Sequence, residues 1–247
     1  MQRYFVNHFE NNRFYIAGDD RHHILHVMRM KKGDFLVCCR EGCCAVCVIE
    51  EISSDHVMAS VVKWEEDTAE LPVHVTIASG QPKGDKLEWI IQKGTELGAG
   101  KFIPFAADRS IVKWDQKKTK KKVERWQKIA KEAAEQSGRS VIPQVAEPVS
   151  KIGLIEMSRH YDHRLVAYEE AGKSGESATL ASILQSIRPG QSILAVFGPE
   201  GGLTEEEVHF FREHQFAVAG LGPRILRTET APLYVLAAVS YQTELLR

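Results

Sequence analysis

The chain has 247 residues, 43% of them hydrophobic and 26% charged, with a formal net charge of −1. These are ordinary globular values, sufficient for one large core or a large domain with a small one. No apolar run approaches the 18 residues of a membrane helix, and no basic, apolar leader precedes the fold, so a cytosolic protein is expected.

Residues 1 to 70 read as short strands: RYFV, RFYIAG, FLVCC, CAVCVIEEI and VMASVVKW. One helical piece, DRHHILHVMRM, interrupts them, with Asp19 or Asp20 as its cap, and the whole suggests a small β-barrel-like module. All five cysteines, Cys38, Cys39, Cys43, Cys44 and Cys47, fall in one stretch. Their number is odd and they do not form two separated CxxC pairs, so buried reduced thiols in a hairpin are expected rather than a zinc site. His22, His23 and His26 lack the Glu and third ligand of a zincin and read as a polar helix face; no metal is expected.

The stretch EEDTAELP, Glu65 to Pro72, is a polar linker ended by proline, so the domains are placed at 1–70 and 73–247. Beyond it, strands alternate with helices. Val73–Ser79, Lys101–Ala107, Val141–Ala146, Arg164–Glu169, Ser192–Phe197 and Phe216–Leu221 are candidate strands. Helices are expected from near Asp85, Thr119, Ser150, Ala178, Thr204 and Ala231. That alternation predicts a parallel sheet covered on both faces, with ligands at the carboxyl ends of its strands.

Charge is uneven along the chain. The net is −4 over residues 1–72, 0 over 73–100, +7 over 101–140 and −4 over 141–247. Lys117 to Lys122 open a helix whose apolar positions Val123, Trp126, Ala130, Ala133 and Ala134 recur at helical spacing, leaving a basic face outside. That face is either a solvated surface or a patch facing phosphates. Familiar nucleotide sites are excluded: no GxGxxG follows the first strand of the second domain. GQPKGDK is one residue short of a P-loop and lacks its Ser or Thr, and there is no GxSxG nucleophile elbow.

Two loops remain as carriers of chemistry. In FGPEGGLTEEEV, Phe197 to Val208, Thr204 and Glu207 form a capping box and Leu203 and Val208 a hydrophobic staple. The helix donors are thereby satisfied, and Glu200, Glu205, Glu206 and Glu207 repel an anion, so the ligand is expected to be neutral or positive. In LGPRILRTETAP, Leu221 to Pro232, Gly222 and Pro223 force a turn, and Thr228 or Thr230 can cap the last helix with Pro232 in its first turn. Backbone groups there suit a flat base edge, and Ile225 and Leu226 offer apolar walls. Arg224, Arg227 and Glu229 supply charge.

These two loops, together with KGDKLEWIIQKGTELGAGKFIPF, DRSIVK and EAAEQSGR upstream, resemble the bacterial 16S ribosomal RNA (uracil-N3)-methyltransferase family, RsmE, of the SPOUT superfamily. RYFV and HHILHVMRMKKGD resemble its N-terminal PUA-like module. The chain departs from the family in having Leu203 where an aromatic residue is often found, and in its cysteine-rich hairpin. The resemblance implies an α/β fold, a SPOUT-type parallel sheet with a C-terminal trefoil knot, preceded by a small PUA-like β-barrel domain. It implies S-adenosylmethionine as methyl donor, N3 of one uridine in the small ribosomal subunit as acceptor, and a homodimer.

Cofactor contacts are expected from Phe197, Gly198, Pro199, Glu200, Gly201 and Gly202 in the first loop. In the second they are expected from Leu221, Gly222, Ile225, Leu226, Arg227, Thr228, Thr230 and Ala231. A sulfonium cation with an adenine ring suits an acid-bordered turn beside an apolar slot. Glu229 or Glu200 is the candidate base for N3, and Arg227 or Arg224 the candidate partner of the uracil anion. RNA contacts are expected from Arg3, His22, Arg29, Lys83, Arg109 and Arg139. The alternatives are a SPOUT enzyme acting on a ribose 2′-hydroxyl or a tRNA base, and a non-catalytic RNA-binding assembly factor.

Overall fold

The computed structural model describes residues 1–66, 68–110, 116–176 and 178–246, with the side chains of 116–118 left aside. Ile111 to Lys113 of the DRSIVK motif and the side chains of Lys117 and Lys118 in the lysine run therefore lie outside the described residues. The chain divides into two compact units. One comprises Met1–Glu70 with Ala134–Ile142, the other Leu71–Ala133 with Pro143–Arg247.

The first unit is a six-stranded sheet in the order β1-β4-β5-β6-β3-β2. Its strands are β1 (Arg3–Phe5), β2 (Phe9–Glu10), β3 (Arg13–Ala17), β4 (Phe35–Arg40), β5 (Cys43–Ile52) and β6 (His56–Trp64). Only β1, parallel to β4, departs from antiparallel pairing. Tight hairpins need left-handed residues at the turn: Asn11 and Asn12 (φ 49° and 62°) join β2 to β3, and Glu41 and Gly42 (φ 52° and 82°) join β4 to β5. The two-residue strand β2 is too short to carry a readable alternation. The helical piece is one short helix, α1 (Gly18–His22), continued by a π-helical turn, His23–Val27. His23 is not part of a free polar face, because its Nδ1 lies 3.0 Å from the Tyr4 hydroxyl.

The cysteine expectation is corrected in part. Cys39 and Cys44 stand directly opposite each other on β4 and β5, 4.1 Å apart at Cα, and are joined as a disulfide. Such close cross-strand pairing brings two thiols within bonding reach. Cys38 and Cys47 are buried free thiols in the core with Phe14, Ile16 and Leu36, while Cys43 is exposed.

The second unit holds an all-parallel sheet in the order β12-β10-β11-β7-β8-β9. Its strands are β7 (His74–Gly80), β8 (Lys101–Phe105), β9 (Gln144–Val145), β10 (His163–Ala167), β11 (Ser192–Phe197) and β12 (Ala217–Ala219). The central strands β7 and β11 are buried over nearly their whole length, as a sheet covered on both faces requires. The helices are α2 (Lys86–Glu96), α3 (Gln116–Gln136), α4 (Lys151–Ser158), α5 (Glu169–Lys173), α6 (Thr179–Ser186), α7 (Glu205–Glu213) and α8 (Thr230–Ser240). Among the described residues no helix is long and apolar enough to cross a membrane.

The strand read over Val141–Ala146 shrinks to Gln144–Val145. The N–H groups of Ser140 and Val141 are taken by the Glu70 carboxylate and cannot bond to a neighbouring strand. α5, a single turn, is too short to show a helical period.

Candidate active site

Four strand ends, β7, β10, β11 and β12, deliver the loops of the site. After β11 the chain doubles back tightly. A Cβ on Gly198 would stand 2.7 Å from the Gly202 carbonyl carbon and 2.8 Å from Leu203 N, so only glycine fits. Gly202 (φ 69°) closes the turn by donating its N–H to Pro199 O at 2.8 Å. The expected capping box is present. Thr204 Oγ1 accepts from Glu207 N, and Glu207 Oε2 accepts from Thr204 N. Leu203 and Val208 are both buried, as the staple requires.

Glu207 does more than cap. It is 1% exposed, accepts Asp108 N–H at 2.9 Å and lies 3.5 Å from Lys151 Nζ. Its carboxylate therefore joins the loop after β8 to the start of α7. Glu207→Ala strands two backbone donors, the N–H groups of Thr204 and Asp108, while Lys151 keeps Asp108 as its partner, and is expected to lower unfolding free energy by about 2–4 kcal/mol in denaturant titration. A loss under about 0.5 kcal/mol would remove Glu207 from this role.

The loop after β12 is also held through glycine. Gly220 packs where a Cβ would lie 2.5 Å from Gly172 Cα, and its N–H donates to Glu176 Oε2 at 2.6 Å. Glu176 Oε1 accepts from Ala178 N and Thr179 N. Burial pushes the Glu176 carboxyl up, but these N–H donors outweigh it and hold it below the usual carboxylate range. The expected cap of α8 is corrected here. Its N-cap is Glu229, with no side-chain cap. Thr228 instead donates its hydroxyl to Gly198 O at 2.8 Å, joining the two loops across 30 residues, and Arg227 O accepts from Thr230 N and Ala231 N.

Between the loops lies a cavity of about 340 Å³. Phe197, Gly198, Pro199, Glu200 and Gly202 line it from the first loop. Leu221, Gly222, Ile225, Leu226, Arg227, Thr228 and Ala231 line it from the second, with Arg224 beside them. Of the residues expected here, Gly201 and Thr230 do not line it. Gly201 O turns outward to accept from Arg109 Nη1 at 2.6 Å, and Thr230 opens the first turn of α8. The cavity also draws on Ala167, Tyr168 and Glu169 from the end of β10, on Leu203, and on Lys86 from α2. Leu203 and Lys86 stand in the glycine-bearing stretches FGPEGGL and GQPKGDK, whereas the only sequence signal of Ala167, Tyr168 and Glu169 is position at a strand end.

The two candidate bases differ in environment. Glu200 Oε1 accepts Lys83 N–H at 3.0 Å and lies 3.1 Å from Lys86 Nζ. Burial disfavours its charge, but the Lys83 N–H and the Lys86 ammonium more than offset this and hold the carboxyl below the usual carboxylate range. Glu229 Oε2 is buried, makes no hydrogen bond among the described residues and lies 3.6 Å from Lys86 Nζ.

The residues expected to touch RNA separate into two sets. His22, Arg29, Lys83 and Arg109 are exposed. Arg139 is corrected: it is 2% exposed and pairs with Glu70 through Nε and Nη2. Arg3 is likewise engaged internally, by Glu65 at 2.9 Å and Cys39 Sγ at 3.1 Å. A guanidinium spent on an internal carboxylate is not offered to a phosphate.

Comparison with known proteins agrees with this architecture. A family model described as RNA methyltransferase domain matches residues 69–240, and one described as RNA methyltransferase PUA domain matches residues 16–62. The chain is 54% identical, over its whole length and 99% of the relative, to the ribosomal RNA small subunit methyltransferase E of Bacillus subtilis (strain 168). It is 36% identical to the protein of the same name from Synechocystis sp., covering 89% of this chain and 70% of that one. The crystal structure of a ribosomal RNA small subunit methyltransferase E from Neisseria gonorrhoeae bound to S-adenosyl methionine superposes with a TM-score of 0.84 at 27% identity, covering 97% of each chain. With a parallel sheet whose strand ends carry two glycine turns joined by the Thr228 to Gly198 hydrogen bond, a PUA domain ahead of it, and full-length likeness to these enzymes, the chain belongs to the ribosomal RNA small subunit methyltransferase E family.

Proposed function

We propose that this chain transfers a methyl group from S-adenosylmethionine to N3 of a uridine in 16S ribosomal RNA. The observation that carries the reading is the cavity enclosed by the Gly198 and Gly220 turns and bridged by Thr228. The donor set fits the cofactor. Glu169 and Glu200 line the cavity beside Lys86, Arg224 and Arg227, a mixture of charges that suits a ligand carrying a sulfonium, an ammonium and a carboxylate, while Ile225, Leu226 and Leu203 offer apolar surface to a purine and backbone groups of Leu221 to Thr228 suit its polar edge. A polyphosphate finds no open helix N-terminus, because Thr204 and Glu207 occupy the one nearest.

When bound, S-adenosylmethionine supplies an electrophilic methyl group on a positively charged sulfur, so that the N3–C bond forms as the C–S bond breaks and its electron pair returns to sulfur. The chain's own residues orient the base and remove the N3 proton. Glu229 is the better base of the two candidates, since Glu200 is already committed to the Lys83 N–H and Lys86. Arg227 or Arg224, both on the cavity wall, stabilises the uracil anion.

A C-terminal trefoil knot belongs to the same reading, supported by the Thr228 to Gly198 bond and the glycine-tight passage of Gly220 past Gly172. A homodimer is supported by the exposed stripe Tyr234, Ala237, Tyr241 and Leu245 along α8 and the turn that follows. The cytoplasm is where the substrate, small-subunit RNA, is assembled. His22, Arg29, Lys83 and Arg109 are the proposed RNA contacts.

The test is incubation with labelled S-adenosylmethionine and small subunits from cells lacking the modification, followed by nucleoside analysis. N3-methyluridine is expected. A 2′-O-methyl product, or none, overturns the reading. Lys120, Lys121 and Lys122 are exposed on α3. Neutralising all three is expected to flatten the log affinity against log salt slope for RNA by about 0.7 to 0.9 for each phosphate they pair with. An unchanged slope assigns them to solvation alone.

A further inference from the structure

Lys86 belongs to neither glycine loop, yet it stands between Glu200, a lining residue of the cavity as Lys86 itself is, and Glu229, which is not one. It opens α2, and its Nζ lies 3.1 Å from Glu200 Oε1 and 3.6 Å from Glu229 Oε2. The carboxylates differ in what else they meet. Glu200 is fixed by the Lys83 backbone N–H, so it forms an anchored end. Glu229 Oε2 is buried without a hydrogen-bond partner among the described residues, and a buried oxygen left in that state is costly unless a ligand completes it. The separation from Lys86, 3.6 Å, is that of an ion pair and not of a hydrogen bond, so the oxygen's acceptor capacity is not used up.

Resting on the function proposed above, we propose that Lys86 is a positioning residue: anchored on Glu200 at the cavity wall, its ammonium holds the Glu229 carboxylate, whose Oε2 keeps its acceptor capacity unused, ready to take the N3 proton of the target uracil. The proton passes from N3 to the Glu229 carboxylate, and the electron pair left on N3 forms the new bond to the methyl carbon. Arg224 and Arg227 face the same cavity from the loop after β12, and Tyr168 and Glu169 from the end of β10. Among the described residues, Lys86 is the cation that pairs with Glu229. A positioning Lys86 differs in its consequences from a residue that touches the uracil anion directly, because a group acting through Glu229 has nothing to act on once that carboxylate is gone.

The test is a double-mutant cycle read by single-turnover methylation of small subunits lacking the modification, at saturating S-adenosylmethionine. Lys86→Met is expected to slow the saturated rate by about tenfold or more while the cofactor dissociation constant from calorimetry stays within about threefold. Lys86→Arg is expected to recover most of the rate. Lys86→Met combined with Glu229→Gln is expected to be no slower than Glu229→Gln alone. Independent losses that multiply in the double variant overturn the proposal, as does a Lys86→Met variant that binds cofactor weakly but turns over normally once saturated. If thermal melts show Lys86→Met unfolded, Lys86→Gln completes the same cycle. Absence of N3-methyluridine with the wild-type protein overturns the proposed function itself, whereas wild-type activity with multiplicative losses overturns this inference alone.

Discussion

Gly198→Ala is expected to weaken S-adenosylmethionine binding by about 10- to 100-fold in calorimetry, the equivalent of roughly 1–3 kcal/mol of overpacking strain. The added Cβ would meet the Gly202 carbonyl carbon at 2.7 Å and Leu203 N at 2.8 Å, both backbone atoms of the same loop. Backbone held by a capping box on one side and by Thr228 on the other cannot yield without moving the cavity wall. Two other glycines set the scale. At Gly201 the new Cβ would meet Arg109 Cβ at 3.2 Å and Cδ at 3.3 Å, contacts that a shift of a few tenths of an ångström relieves. At Gly100, remote from the site, it would find only Val75 O at 3.7 Å. Gly201→Ala is thus expected to lose only a few-fold in affinity, and Gly100→Ala to bind normally. Equal affinity in all three variants would show that the tightness of the first loop does not shape the site.

Glu229→Gln is expected to reduce the methylation rate at saturating cofactor by about 10² to 10⁴-fold, the contribution of a positioned general base, while cofactor affinity remains near normal. Glutamine keeps the size of the side chain, and at the N-cap of α8 the carboxylate makes no capping bond that the amide would lose. Glu200→Gln is expected to behave differently. It weakens the bond from the Lys83 N–H that ties down the first loop, a contact Lys86→Met leaves in place, so cofactor binding should suffer along with the rate. A Glu229→Gln enzyme with near-normal single-turnover methylation would remove Glu229 from proton transfer.

The sequence alone carried the elements whose causes are local. Alternation of apolar residues marked the strands, and the Thr204 and Glu207 spacing marked the start of α7. Glycines at strand ends located the cavity for the same reason, since a left-handed or crowded backbone position restricts residue type wherever the partner lies. Tertiary structure decided the matters of pairing. Arg139 and Glu70 are 69 residues apart, Thr228 and the Gly198 carbonyl 30, and Lys83 and Glu200 117. A charge or hydroxyl in the sequence has no fixed partner. Arg139 therefore reads as an RNA contact until its burial against Glu70 is seen, and Thr228 as a helix cap until its hydroxyl is found on the other loop. Lys86 lies in the KGDKLEW stretch that carried the family resemblance, but nothing there marked it as a site residue, because its significance lies in two carboxylates brought to it from distant strand ends. Periodicity reports only a residue's neighbours along one element, whereas a site at the edge of a parallel sheet is assembled from several elements at once.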